Sequence, residues 1–72
     1  MVEVGDMVRF VSGMRHGAIG QVLTVDDYET QPALTYQVLL LTPSETHFGR
    51  EAAGYVCHYV DAYEIEAYNE SR

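Results

Sequence analysis

The sequence predicts an all-β domain of five short strands rolled into a small barrel. Three observations point there. Val4–Val25 reads as a strand, a glycine-rich loop and a second strand. Tyr36–Leu41 and Tyr55–Val60 are dense apolar runs of strand length. Turn residues, among them Gly5, Pro43, Gly49 and Gly54, punctuate what lies between.

The first strand is expected at Met7–Val11, just after the turn pair Gly5-Asp6. A period of two sends Val8 and Phe10 to one face and Arg9 to the other. Gly13, Gly17 and Gly20 then suit a loop that needs positive φ or close backbone approach. The second strand is expected at Gln21–Val25. Val22 and Val25 stand three apart, so strict alternation cannot bury both. Either Leu23 and Val25 share the core face, or a bulge lets Val22 join Val25.

This order resembles the KOW motif and the wider family of small SH3-like barrels. Gly5, Asp6, Val8, Arg9, Ser12, Gly13, Gly17, Gly20, Val22 and Val25 carry the likeness, in the pattern GDxVRxxSGxxxGxxGxVxxV. It covers about the first third of the chain. The resemblance implies a five-stranded SH3-like (KOW-type) barrel with a short 3₁₀ turn before the last strand. It implies no single activity, since such barrels serve ribosomal proteins, transcription factors, enzyme subunits, photosynthetic accessory subunits and phage proteins.

Asp26–Ala33 is polar, acidic and contains Pro32, which reads as a loop. The third strand is expected at Thr35–Leu41, with Tyr36, Val38 and Leu40 on one face and Gln37, Leu39 and Leu41 on the other. Either both faces are covered, or Leu39 and Leu41 form an outward patch for a partner. Pro43–Gly54 reads as a second long loop holding His47, Phe48 and Arg50. Phe48 is expected to tuck back over the barrel; the other reading makes it a contact residue.

The fourth strand is expected at Gly54–Val60. Its pattern does not choose between a face of Val56, His58 and Val60 and a face of Tyr55, Cys57 and Tyr59. A 3₁₀-type turn at Asp61–Glu64 then leads to a last strand at Ile65–Tyr68, with Ile65 pointing inward between Glu64 and Glu66. A short helix over Tyr59–Tyr68 is the rival, because Val60, Tyr63 and Ala67 have helical spacing. Asn69–Arg72 reads as a frayed tail.

At 72 residues the chain is one domain. Domains this small bury only ~60% of the surface their unfolded chains expose, which favours association with a partner, a second copy or a host assembly. The charge is uneven. Residues 1–25 sum to zero, and residues 26–72 set Arg50 and Arg72 against nine acids, for the net −7 of the whole chain. There is no lysine. A nucleic-acid binder gains affinity by neutralising phosphates with Lys or Arg, so this balance disfavours one. The single cysteine, Cys57, excludes an internal disulfide. The N-terminal residues lack a basic-then-apolar leader, and no apolar run approaches the ~20 residues that span a bilayer. The expectation is a cytoplasmic protein, or one assembled into a particle after synthesis there, with no membrane contact.

Few constellations carry chemistry. Ser12–Gly20, with Arg15 and His16, can present backbone N–H groups and positive charge to a phosphate. It lacks the lysine and the following helix of a nucleotide-binding loop. His16, His47, His58 and Cys57 show no metal-ligand spacing, and neighbours Cys57 and His58 face opposite ways in a strand. The acid pairs Asp26-Asp27 and Glu64-Glu66 lack the cleft that acid–base catalysis needs. No catalytic residue, metal or cofactor is expected. Six tyrosines without a tryptophan are more suggestive, because tyrosine suits wet interfaces. The expected function is a small non-enzymatic protein-interaction or accessory module. It would dock on a larger assembly through an aromatic-acidic surface of Tyr55, Tyr59, Tyr63 and Glu64, with Leu39, Leu41 and Phe48. One alternative is a KOW-type nucleic-acid contact through Arg9, Arg15 and His16. Another is a structural subunit of a viral or multi-subunit particle.

Overall fold

The computed structural model describes residues 2–27 and 34–68. Within them β1 (Met7–Phe10), β2 (Ile19–Asp27), β3 (Leu34–Leu40), β4 (Ser44–Thr46), β5 (Gly49–Glu51), β6 (Val56–Asp61) and β7 (Ile65–Ala67) follow one another. A 3₁₀ turn, Ala62–Glu64, joins β6 to β7. The all-β reading and the turn before the last strand both hold, and the rival helix over Tyr59–Tyr68 does not form. Five strands make one antiparallel sheet in the order β6-β3-β2-β1-β7. Its two edge strands are therefore consecutive in sequence. The three-residue turn between them advances only ~6 Å at about 2 Å per residue. A flat sheet of this order would separate its edges by ~19 Å. The sheet must curl strongly for the connection to close.

Three elements depart from the sequence reading. Pro43–Gly54 is not a plain loop: β4 and β5 pair as a separate hairpin, with Ser44 opposite Glu51 and Thr46 opposite Gly49. The Thr46 hydroxyl holds its tip, accepting from the Phe48 N–H at 3.1 Å and donating to the Gly49 carbonyl at 2.9 Å. Gly20 is not a loop residue, because β2 already begins at Ile19. Asp26 and Asp27 are not loop residues either, since β2 runs on through both. Tyr28–Ala33, with Pro32, and Asn69–Arg72 lie outside the described residues.

The core gathers Val8, Phe10, Ala18, Val22, Tyr36, Val38, Leu40, Cys57, Val60 and Ile65. Two pairs in that set break the strand period. Val22 and Val25 both reach the core because β2 carries an extra residue, Leu23, between Val22 and Thr24. That settles the earlier alternative in favour of the bulge. Cys57 and Val60, also three apart, are both buried for the same reason. On β6, His58 and Tyr59 together face the single residue Gln37 of β3. The core face of β6 is therefore neither of the two alternating sets. Each bulge adds one residue, shifts the phase by half a period and saves the next apolar side chain for the core.

Candidate functional site

The outward face of β2, β3 and β6 is where these bulges have their effect. Antiparallel pairing places Gln21, Leu39 and Val56 in one row across it. The next row holds Thr24, Gln37 and the bulged residues Leu23, His58 and Tyr59. The row after that holds Asp26, Thr35 and Asp61. Strict alternation would have aimed Tyr59 at the core beside Cys57. The bulge turns it out instead, to 74% exposure, with its ring centroid 6.2 Å from that of His58.

Tyr59 carries a backbone cost for that position. Its φ of 59° is the single positive value at a non-glycine among the described residues. For an L-residue this left-handed conformation costs roughly 1–2 kcal/mol, set against the burial of Val60 that the bulge secures.

The other expected contact residues divide. Tyr63 projects from the 3₁₀ turn, 74% exposed, and the Asp61 carboxylate pushes its phenol pKa above the ordinary value. Leu39 is half-buried on the outward face, and Leu41 is exposed just past the end of β3. Tyr55, 47% exposed, stands just before β6, where its carbonyl accepts the Leu40 N–H at 2.9 Å. Glu64 serves the fold: its carboxylate accepts the Asp61 N–H at 3.0 Å and lies against Gly13, and its carbonyl accepts the Val11 N–H. Phe48, expected to tuck back, is 90% exposed at the tip of the β4–β5 hairpin. A two-residue turn has no room to fold the ring over its own strands. Asp61, expected among the acids beside the tyrosines, lies on the face, and His58, Leu23, Gln37 and Asp26 complete it without having been expected as contact residues. The signal available was the Cys57/Val60 spacing, which repeats that of Val22/Val25.

The residues expected to meet nucleic acid are placed differently. Arg9 pairs with Glu66 across the β1–β7 ladder. Arg15 makes a two-pronged pair with Glu51, Nε to Oε1 at 2.7 Å and Nη2 to Oε2 at 3.1 Å. His16 is exposed in the turn between β1 and β2. Among the described residues no group of three His, Cys, Asp or Glu could hold a metal, no pocket opens, and no helix is long and apolar enough to cross a membrane.

Cys57 lies in the core, and burial pushes its thiol from 9.0 to about 11. Between those values the unfolded chain releases the proton and the folded chain keeps it. The thiol's contribution to stability is therefore full below pH 9.0 and declines as pH rises towards about 11. Native protein at neutral pH is expected to resist iodoacetamide and to react once unfolded in urea. Immediate labelling of the native chain would place the thiol outside the core.

No family model, curated protein or solved structure matches the chain.

Proposed function

We propose that this chain is a small, non-enzymatic docking module built on an SH3-like barrel. It binds a protein partner, or its place in a larger assembly, through the outward face of β2, β3 and β6. Three features support the barrel: the strand order, the return of β7 to pair with β1, and the 3₁₀ turn that links the edge strands. One observation carries the docking: Tyr59 is held out of the core, in a strained conformation, on the edge strand of that face. Tyr63 and Leu39 belong to the same surface, and Phe48 is a separate contact on the hairpin. The KOW-type nucleic-acid reading loses support because both of its arginines already hold carboxylates.

Tyr59→Asn tests the reading, because asparagine tolerates the left-handed region best among non-glycines. The variant is expected to be more stable than the parent by about 0.5–1 kcal/mol in urea melts. It should also lose the partners that the immobilised parent retains from its native host. A gain in stability with a loss of capture is the signature of strain kept for binding. Unchanged capture by the variant would remove this face from the function.

A further inference from the structure

The three rows of the outward face are not equivalent, and their order states what kind of partner fits. We propose that the partner segment is extended, amphipathic and basic. Its apolar side chain lies over Leu39 and Val56, and a Lys or Arg head reaches Asp26 and Asp61. This inference rests on the docking reading above and gives the partner its chemistry.

Asp26 and Asp61 face each other across β3, with Thr35 between them. Two strand spacings put them about 10 Å apart, close enough for one cationic head to meet both fields. Neither is in an ion pair among the described residues, where the two salt bridges are Arg9–Glu66 and Arg15–Glu51. The Thr35 hydroxyl stands in the same row, 8% exposed and without a hydrogen-bond partner among the described residues. It is an unused acceptor at the floor of the acidic row. Tyr59 in the neighbouring row and Tyr63 beside Asp61 offer ring faces to a guanidinium or ammonium group.

The apolar row lies four residues along β3, from Thr35 to Leu39. At about 3.4 Å per residue that is ~14 Å. An extended segment running along β3 therefore presents matching side chains at positions i and i+4, apolar then basic, on one face. The segment lies on the face and does not extend the sheet, because the His58–Tyr59 bulge interrupts the ladder of the free edge strand β6.

The test uses the full chain and a fluorescein-labelled peptide with leucine at i, arginine at i+4 and serine or threonine elsewhere. A second peptide carries citrulline, the neutral isostere, in place of arginine. Fluorescence anisotropy at low salt should show the arginine peptide binding about tenfold more tightly. Asp26→Asn, Asp61→Asn and Leu39→Ser should each weaken it about threefold or more, while Glu3→Gln and Glu45→Gln, away from the face, leave it unchanged. Thermal melts confirm that each variant is folded, and Asp26→Asn is free of the 3₁₀ turn that Asp61 precedes. Equal binding of the citrulline peptide overturns the proposal, and so does equal weakening by Glu3→Gln and Glu45→Gln. If Tyr59→Asn abolishes capture of the native partner but the arginine peptide does not bind, docking stands and the basic segment falls. If Tyr59→Asn changes neither capture nor peptide binding, both fall.

Discussion

Gly20→Ala is expected to destabilise the domain by about 3 kcal/mol, near the upper end of what overpacking one methyl group costs. Gly20 sits in the middle strand of the sheet, with Val8 opposite on β1 and Leu40 opposite on β3. A Cβ there would stand 2.4 Å from Val38 Cγ1 and 2.9 Å from the Leu39 carbonyl oxygen. The valine methyl is fully buried and can move only within the core, and the carbonyl belongs to the backbone of β3. A domain of 72 residues has roughly 4–11 kcal/mol of stability to lose. The loss should lower the melting temperature by about 12–24 °C. Gly17 is the control. It has φ of 94° and open space around the added Cβ, so alanine there meets backbone strain alone, about 1 kcal/mol. The double variant Gly20→Ala/Val38→Ala should cost less than the sum of the two single losses, because alanine at position 38 removes the side-chain clash while the approach to the Leu39 carbonyl remains. A melting temperature for Gly20→Ala within a few degrees of the parent would show that β2 and β3 lie farther apart at this position.

The same glycine shows how far the sequence could be read. Three glycines between Gly13 and Gly20 announced a loop, and two of them, Gly13 and Gly17, do take positive φ. Gly20 is there for space, and composition does not separate a glycine needed for its dihedral from one needed for its missing side chain. Alternation correctly sorted Val8 and Phe10 from Arg9, and Tyr36, Val38 and Leu40 from Leu39, because those stretches have no inserted residue. It failed on β6, where counting by two assumes that no residue is added. There the apolar pair Cys57/Val60, three apart, was the trace of the bulge. The face that results was therefore only half legible. Tyr59, Tyr63 and Leu39 stood out as residue types. Asp26, Gln37 and His58 join them only through the pairing of β3 with both neighbours. The β4–β5 hairpin was hidden because its strands have three residues each, too few to show a period. The fate of the arginines was hidden for another reason: Arg15 and Glu51 are 36 positions apart, and no local pattern links them.

That last pair is expected to be the strongest side-chain polar contact among the described residues. Arg15 and Glu51 are 13% and 14% exposed, far more enclosed than Arg9 and Glu66 at 48% and 50%. Two parallel N–H···O bonds join the turn between β1 and β2 to the last residue of β5. Arg15→Leu removes the cation and leaves a carboxylate with little water around it. Fully buried pairs lose about 3–5 kcal/mol when one partner is removed, and partial exposure here scales that to ~2 kcal/mol. Glu51→Gln should lose slightly less, since its amide can still accept one bond from the guanidinium. The double variant Arg15→Leu/Glu51→Leu should recover most of the loss, because an apolar pair leaves no charge without a partner. Closed with the single variant Glu51→Leu, the cycle should give a coupling of about 3 kcal/mol, with little dependence on salt. Arg9→Ala, at the exposed pair, should cost under about 1 kcal/mol and respond to salt. The fold near the hairpin should register the difference: amide exchange in β4 and β5 is expected to quicken in Arg15→Leu and not in Arg9→Ala. If both arginine variants lose the same small amount, the hairpin is held by something other than this ion pair. Arg15 would then be available to a phosphate, and the nucleic-acid reading would regain its main residue.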